Sequence, residues 1–340
     1  MTEQQQDRET KVAIVTGANA GVGYGIIQRL LEQEEDIQIV MACRNGGRAS
    51  RARLSLLQQF PSANINIELV DLANAQSVFR FCDNIKSRYT SINYLFCNAG
   101  ILSTLGLNWK ELVWLFFQDP AGFFERSDAT IQATGEINED GMGKVFAANV
   151  FGHYVMLREL EGLLDASGDA RVIWTSSLTA EKSAFDIDDW QGLKSTFPYE
   201  SSKWACDLIS IKSNDRYSSE NHHIISFTTS PGVVASAIID LPMVLAKLRV
   251  GLQYVYRFLG VSSQTITGYA GAISNVYVAL QPLKALNYLY RYTSLADRWG
   301  TPYVEATTVS DYDPMTAEKL LQHCELAYQA QKRLVSSSKK

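Results

Sequence analysis

The sequence predicts an α/β fold, a doubly wound parallel sheet with helices on both faces. Short β-branched runs alternate with helical patterns through the first 180 residues. Those runs are almost wholly apolar, as strands covered on both faces are. A cluster of glycines separates the first run from the first helical pattern. With 340 residues, 46% apolar and 20% charged, the chain can bury a deep core and has neither a disordered nor a fibrous composition. No internal repeat or low-complexity linker divides it, so one domain is expected over residues 11–340, after a polar tail at 1–10.

Lys11–Thr16 (KVAIVT) is the first strand, and a helical pattern runs from the glycines to Leu31. Ile37–Cys43 (IQIVMAC) is the second strand, and the next helix ends over Leu54–Phe60, before Pro61. Asn66–Asp71 is the third strand, followed by a helix from Ala75 to about Arg88. Ile92–Cys97 is the fourth. A helix over 142–164 leads to the fifth, Arg171–Ser176; another helix begins after Pro198, and Ile224–Thr228 is the sixth strand. Three intervals interrupt this order, at about 101–140, 178–198 and 235–300. Each follows the carboxyl end of a strand, where open α/β sheets bind ligands, so they read as pocket-shaping insertions. The first carries Trp109, Trp114, Phe116, Phe117, Phe123 and Phe124.

Lys and Arg number 31 against 36 Asp and Glu, a net −5 that offers no general attraction for nucleic acid. The cysteines (Cys43, Cys82, Cys97, Cys206 and Cys324) are odd in number and form no C-x-x-C pair, which reads as reduced thiols. His153, His222, His223 and His323 lack metal-ligand spacing, and the adjacent pair would point to opposite sides of a strand, so no metal is expected. No signal peptide is expected at the polar start. The uncharged runs 221–239 and 258–283 hold too many polar residues, Gly and Pro for a spanning helix.

Between the first strand and helix stands Thr16-Gly17-Ala18-Asn19-Ala20-Gly21-Val22-Gly23. Glycines there let the backbone turn tightly and approach a pyrophosphate, which then sits on a helix N-terminus. The spacing is G-x-x-x-G-x-G, not G-x-G-x-x-G, and its strand–turn–helix context is what makes it a nucleotide signal. The second strand ends at Cys43 and is followed by Arg44, with Arg48 nearby and no Asp or Glu between Ile37 and Leu54. An acid at that end would hold a ribose 2′-hydroxyl, whereas Arg accommodates a 2′-phosphate, so NADP(H) is expected. Asp71 can meet the adenine or cap the following helix.

Tyr199-Glu200-Ser201-Ser202-Lys203 opens a helix, and positions i and i+4 share one face. A free tyrosine titrates near ~10; a neighbouring cation lowers that value and tunes the phenol as a general acid. Alone, the pair also fits a solvated helix surface. It occurs with Ser176-Ser177 at one strand end and Asn98-Ala99-Gly100 at another. Taken with Thr16–Gly23, Asn149 and Pro231-Gly232, these motifs make the chain resemble the short-chain dehydrogenase/reductase family over nearly its whole length.

The resemblance implies a Rossmann-like fold. It implies that Tyr199 donates a proton to the substrate oxygen, Ser177 orients the carbonyl, Lys203 binds the nicotinamide ribose and lowers the Tyr199 pKa, and Asn149 holds a water. It places cofactor contacts at Thr16, Gly17, Asn19, Gly21, Val22, Gly23, Arg44, Asp71, Leu72, Asn98, Ala99, Gly100, Tyr199, Lys203, Pro231, Gly232, Val233 and Val234. The interval from Ser177 to Tyr199 is longer than the family's usual one, which implies an excursion at 178–198.

Ala42–Asn45, Asn149–Tyr154, Leu157–Glu161, Val172–Ser177, Tyr199–Asp207 and Thr316–Lys319 resemble a narrower group. This is the 3-ketosteroid reductases of sterol synthesis, with their animal relative 17-beta-hydroxysteroid dehydrogenase type 7. That resemblance implies NADPH-dependent reduction of a sterol C3 ketone during C4 demethylation, near other enzymes of that complex. It also implies residence on the cytosolic face of the endoplasmic reticulum or a lipid droplet. A rigid apolar sterol suits a pocket lined by the aromatics of 105–124, although Trp109, Val113 and Phe116 also fit an ordinary buried helix face.

From Leu241 to Ala296 there is no Asp or Glu, while Lys247, Arg249, Arg257, Lys284 and Arg291 occur. On a helical projection Leu245, Leu248, Leu252, Val255 and Leu259 share one face, opposite Lys247, Arg249, Gln253 and Arg257. This is the pattern of an interfacial helix, and equally of a lid or dimer contact. Helices 142–164 and 199–217 are apolar enough to pair in a homodimer. Two other readings remain: a reductase of another lipophilic ketone or aldehyde, and a non-catalytic nucleotide-binding scaffold, against which Tyr199 and Lys203 both stand.

Overall fold

The computed structural model describes residues 10–118, 130–235 and 243–338. Four parallel strands form one half of the sheet: β1 (Lys11–Thr16), β2 (Ile37–Cys43), β3 (Asn64–Leu69) and β4 (Tyr94–Cys97). Helices α1 (Gly21–Gln33), α2 (Gly46–Gln59) and α3 (Ala75–Lys86) connect them. A small antiparallel hairpin, β5 (Thr104–Leu107) with β6 (Thr130–Gln132), and helix α4 (Trp109–Gln118) follow β4. The chain then runs through a π-turn at Ala147–Phe151 into α5 (Gly152–Asp165), β7 (Ala170–Thr175), α6 (Pro198–Ser219) and β8 (Ile224–Ser230). After β8 come α7 (Met243–Phe258), α8 (Gly268–Gly271), α9 (Ile273–Leu280), the strands β9 (Tyr290–Ala296) and β10 (Pro302–Thr308), and α10 (Pro314–Ser338).

The main sheet has eight strands in the order β10-β9-β8-β7-β4-β1-β2-β3, all parallel except β10. The six strands expected from the sequence are its inner and far-edge strands. The interval 235–300 was expected to interrupt the alternation, yet its end supplies a further parallel strand, and β10 caps that edge. Successive residues of one strand enter opposite cores, because side chains alternate. Val12, Ile14, Val172 and Trp174 meet α3, α5, α6 and α10, whereas Ala13, Val15, Phe96 and Ile173 meet α1, α2 and α9. Double coverage is why these strands read as continuous apolar runs.

Helix α10 lies across α3, α5 and α6, on the face the sequence offered as a homodimer contact. The Tyr154 hydroxyl donates to Glu325 Oε2 at 2.8 Å, Tyr328 donates to Glu159 Oε1 at 2.7 Å, and the Lys332 ammonium sits 2.7 Å from the same Glu159 oxygen. His323 stacks on Trp190 at 5.3 Å between ring centroids. That apolar face is therefore closed by the chain's own C-terminal helix, and a dimer through it would need α10 displaced.

Two surface helices correct the sequence reading. On α4, Trp109, Val113, Trp114 and Phe117 are exposed, while Leu115 is fully buried. The exposed four do not form the buried helix face that the spacing also fitted; Phe123 and Phe124 lie outside the described residues, as does the Phe116 side chain. On α7 and just past its end, Leu248, Val255 and Leu259 are exposed, whereas Gln253 is fully buried and Arg249 and Arg257 are partly so. The expected polar face is thus turned into the protein, leaving Lys247 exposed beside the apolar stripe; the Leu245 side chain lies outside the described residues. No described helix is long and apolar enough to cross a membrane.

His222 and His223 precede β8 and do not splay apart. Both ring Nδ1 atoms face Asp165 Oδ1, at 3.3 and 3.5 Å. All five cysteines are unpaired and buried.

Candidate active site

The carboxyl ends of β1, β4, β7 and β8 converge, and each delivers one part of the candidate site. Thr16 ends β1. Its hydroxyl oxygen accepts from the backbone N–H groups of Asn98 and Ala99, both at 2.9 Å, and Asn98 Nδ2 donates to the Thr16 carbonyl at 2.8 Å. The same hydroxyl is 3.0 Å from the Phe96 carbonyl and 2.9 Å from His153 Nε2. Gly17 follows with φ of +66°, a left-handed turn natural to glycine. A Cβ on Gly23 would stand 2.5 Å from the Gly17 carbonyl oxygen, so the turn and the start of α1 are in direct backbone contact.

No side chain caps the start of α1. Its first N–H groups are left for an anion, the arrangement that a dinucleotide pyrophosphate requires. Asn45 caps α2 by accepting from the Arg48 N–H at 2.9 Å. Arg44 and Arg48 are exposed, and among the described residues neither guanidinium has a protein partner. Asp71 lies beyond β3, not within it, and its Oδ1 accepts from the Ala73 N–H at 3.0 Å. Leu72 is buried beneath it. Val22 packs on the α1 side of the core, and the backbone of Asn19 hydrogen-bonds the Cys43 thiol, which burial pushes up to about 11. The glycine turn, uncapped helix and open guanidinium pair fit a dinucleotide carrying an additional phosphate.

Helix α6 opens with Pro198 at its first turn, where the missing N–H costs nothing. The Tyr199 N–H donates to Gln132 Oε1 at 3.0 Å, and Gln132 Nε2 donates to Glu200 Oε2 at 2.6 Å. The hairpin thereby holds the first turn of α6. One helical turn on, the Lys203 ammonium lies 5.6 Å from the Tyr199 ring centroid and donates to the Thr175 carbonyl at 2.7 Å. Burial raises the Tyr199 pKa, and the opposing pull of Lys203 and of the Ser177 hydrogen bond does not cancel it. The sequence led us to expect a net lowering; desolvation outweighs the cation here.

Ser177 hydrogen-bonds the Tyr199 side chain, and its Oγ is 3.0 Å from Thr179 Oγ1. Ser176 instead donates to the Lys203 carbonyl at 3.1 Å and is buried against α6. Asn149, in the π-turn, receives the Ile101 N–H on Oδ1 at 2.7 Å, and its Nδ2 donates to Ile101 O and Ser202 Oγ, each at 3.0 Å. Gly100 lies between: a Cβ there would stand 3.3 Å from Asn149 Oδ1 and 3.5 Å from Lys203 Nζ. Pro231–Val234 leaves β8 and is fastened to the segment after α7. Thr265 Oγ1 donates to Pro231 O at 2.9 Å, Val233 N to Ser263 O at 2.8 Å, and Val234 bridges Ile266.

Residues 11–240 match the short chain dehydrogenase family. The chain belongs to that family. Among relatives of this short-chain dehydrogenase is the 3-keto-steroid reductase/17-beta-hydroxysteroid dehydrogenase 7 of Rattus norvegicus, 36% identical over 91% of this chain and 92% of that one. A 3-keto-steroid reductase of Schizosaccharomyces pombe is 28% identical over 96% and 99%. Among solved structures, an uncharacterized protein from Mycobacterium paratuberculosis shares the fold with a TM-score of 0.62, at 18% identity over 94% and 93% of the two chains.

Sequence reasoning passed over two residues that the structure brings to the site. Gln132 lies in an irregular insertion, with no local motif to mark it. His153 stands four positions after Asn149, and that i, i+4 spacing was the available signal.

Proposed function

We propose that this short-chain dehydrogenase reduces the C3 ketone of a sterol intermediate to the 3β-alcohol with NADPH, in the C4-demethylation stage of sterol synthesis. The likeness to 3-keto-steroid reductases from animals and yeasts, over about nine-tenths of each chain, carries the reading. The Tyr199–Lys203–Ser177 arrangement supports it chemically.

The nicotinamide, when bound, supplies the hydride. Tyr199 holds the proton that the ketone oxygen receives, and its raised pKa keeps that proton in place at neutral pH. Ser177, already hydrogen-bonded to Tyr199, orients the carbonyl. Lys203 fixes the ribose edge and stabilises the phenolate left by proton transfer. Asn149 holds the Ile101 end of the Asn98–Gly100 segment, beside Lys203. Arg44, with Arg48, receives the 2′-phosphate, and Thr16–Gly23 receives the pyrophosphate.

The same reading places the protein on the membrane that stores its substrate. The outward apolar stripes of α4 and α7, which include two tryptophans, support peripheral attachment. Sterol profiling of cells lacking the protein tests the function. Accumulated 3-keto sterols are the expected outcome; an unchanged sterol pattern would remove it.

A further inference from the structure

The mechanism leaves a buried imidazole unused at the centre of the site, beside the buried thiols of Cys97 and Cys206. His153 is fully buried beneath the junction of β1, β4 and the π-turn, edge-on to Trp174 at 5.8 Å. Its Nε2 is 2.9 Å from Thr16 Oγ1, and its Nδ1 is 3.1 Å from the Asn149 carbonyl oxygen. These partners determine its proton. A carbonyl oxygen can only accept, so Nδ1 carries the hydrogen. Burial, with Lys203 adding repulsion, lowers the imidazole to about 4, so the ring is neutral and Nε2 offers a lone pair. Both lone pairs of the Thr16 hydroxyl are taken by the Asn98 and Ala99 N–H groups. Its hydrogen is therefore the one left to point at Nε2, in competition with Phe96 O.

The two partners of His153 hold the two ends of one short segment. Thr16 holds Asn98 and Ala99, while Asn149 holds Ile101 through both atoms of its amide. Between those ends lies Gly100, against Lys203. We propose that His153 is a positioning residue that braces Thr16 to Asn149, so that the cofactor-facing segment 98–101 and the Lys203–Tyr199 pair keep one fixed relative placement. Its two nitrogens serve separate ends: Nε2 the dinucleotide side, Nδ1 the reacting side. This rests on the catalytic reading above.

Two half-replacements separate the arms. In His153→Asn the side-chain amide can stand near Nδ1 and donate to Asn149 O, but nothing reaches Thr16. In His153→Gln the amide can reach the Nε2 position and gives up the ring donor to the Asn149 carbonyl, leaving there the weaker Cys206 Sγ donor at 3.6 Å. His153→Phe keeps the volume and loses both. NADPH affinity is read by fluorescence titration, kcat by steady-state reduction of a 3-keto sterol, and folding by circular dichroism. His153→Asn should weaken NADPH about tenfold and keep kcat within about threefold, and His153→Gln should show the reverse; each tenfold loss is about 1.4 kcal/mol. His153→Phe should lose both. Equal loss of both parameters in the two amide variants, near-wild-type behaviour in all three, or failure of all three to fold would each overturn the brace. A wild-type protein that binds NADPH but leaves sterol ketones untouched would instead overturn the proposed substrate, and the split in NADPH affinity would still report on Thr16.

Discussion

Lys203 and Tyr199 face one another across a single turn of α6, the ammonium 5.6 Å from the ring centroid and anchored on the Thr175 carbonyl. The anchor fixes the cation, so its pull on the phenol is constant, and burial still leaves the phenol above its ordinary range. On the proposed mechanism the tyrosine is a held acid in the reductive direction, and the lysine acts chiefly once the phenolate forms.

Tyr199→Phe should therefore lower kcat at least a hundredfold with NADPH affinity nearly unchanged, because only the proton donor is deleted. Lys203→Ala should damage both parameters. The wild-type rate of reduction should be flat through neutral pH and fall only above the ordinary tyrosine value of ~10, since the acid form is the active one. Steady-state pH profiles of both parameters check this, and a decline beginning near neutrality would assign the proton to another group.

Arg44→Asp should shift preference from NADPH toward NADH. The carboxylate repels a 2′-phosphate and suits a 2′-hydroxyl, and no described side chain at present occupies the Arg44 guanidinium. The ratio of kcat/KM for the two cofactors is the readout; an unchanged ratio removes Arg44 from the site.

Liposome flotation should be retained at high salt. Arg249 and Arg257, two of the basic residues that a salt-sensitive contact would need, are partly buried on α7. Replacing Leu248, Val255 and Leu259 by Ser removes the outward stripe and should abolish flotation, because binding scales with buried apolar area. Flotation lost in salt with the stripe intact would return the contact to Lys247 and its neighbours.

Glu159→Gln should loosen α10. Burial opposes ionisation of Glu159, yet Lys332, Lys86 and Tyr328 together hold its pKa down to about 2. A depressed carboxylate contributes stability above its unfolded pKa and loses it as pH falls toward the folded one. Amide exchange along 314–338 should therefore speed up in the variant at neutral pH, and in wild type only below about pH 4. If exchange there is unchanged, the apolar packing of Leu320, Cys324 and Tyr328 holds the helix without the ion pairs.

What the sequence disclosed was what local chemistry writes locally. Thr16–Gly23 and Tyr199–Lys203 depend on spacing within one turn or one helix, and the inner strands on runs covered from both sides. The periodicity of α7 disclosed its stripe but not its direction, since the partner surface decides which face is buried, and here Gln253 went inward. Strands β9 and β10 follow a long interval of mixed pattern, and their place is set by pairing with β8, a contact invisible in composition. The helix over 142–164 is broken by a π-turn that puts Asn149 where it meets Ile101. The α5–α6 face looked free for a second copy because its cover, α10, begins only at Pro314, far along the chain from the end of α6 at Ser219.

The most direct test supplies purified protein with NADPH deuterated at the transferable C4 position and a 3-keto sterol, and reads the product by mass spectrometry. The account predicts one deuterium at C3 of a 3β-alcohol with wild type, and none with Tyr199→Phe. NADPH consumed without label in the sterol, or label in a Tyr199→Phe reaction at the wild-type rate, would contradict it.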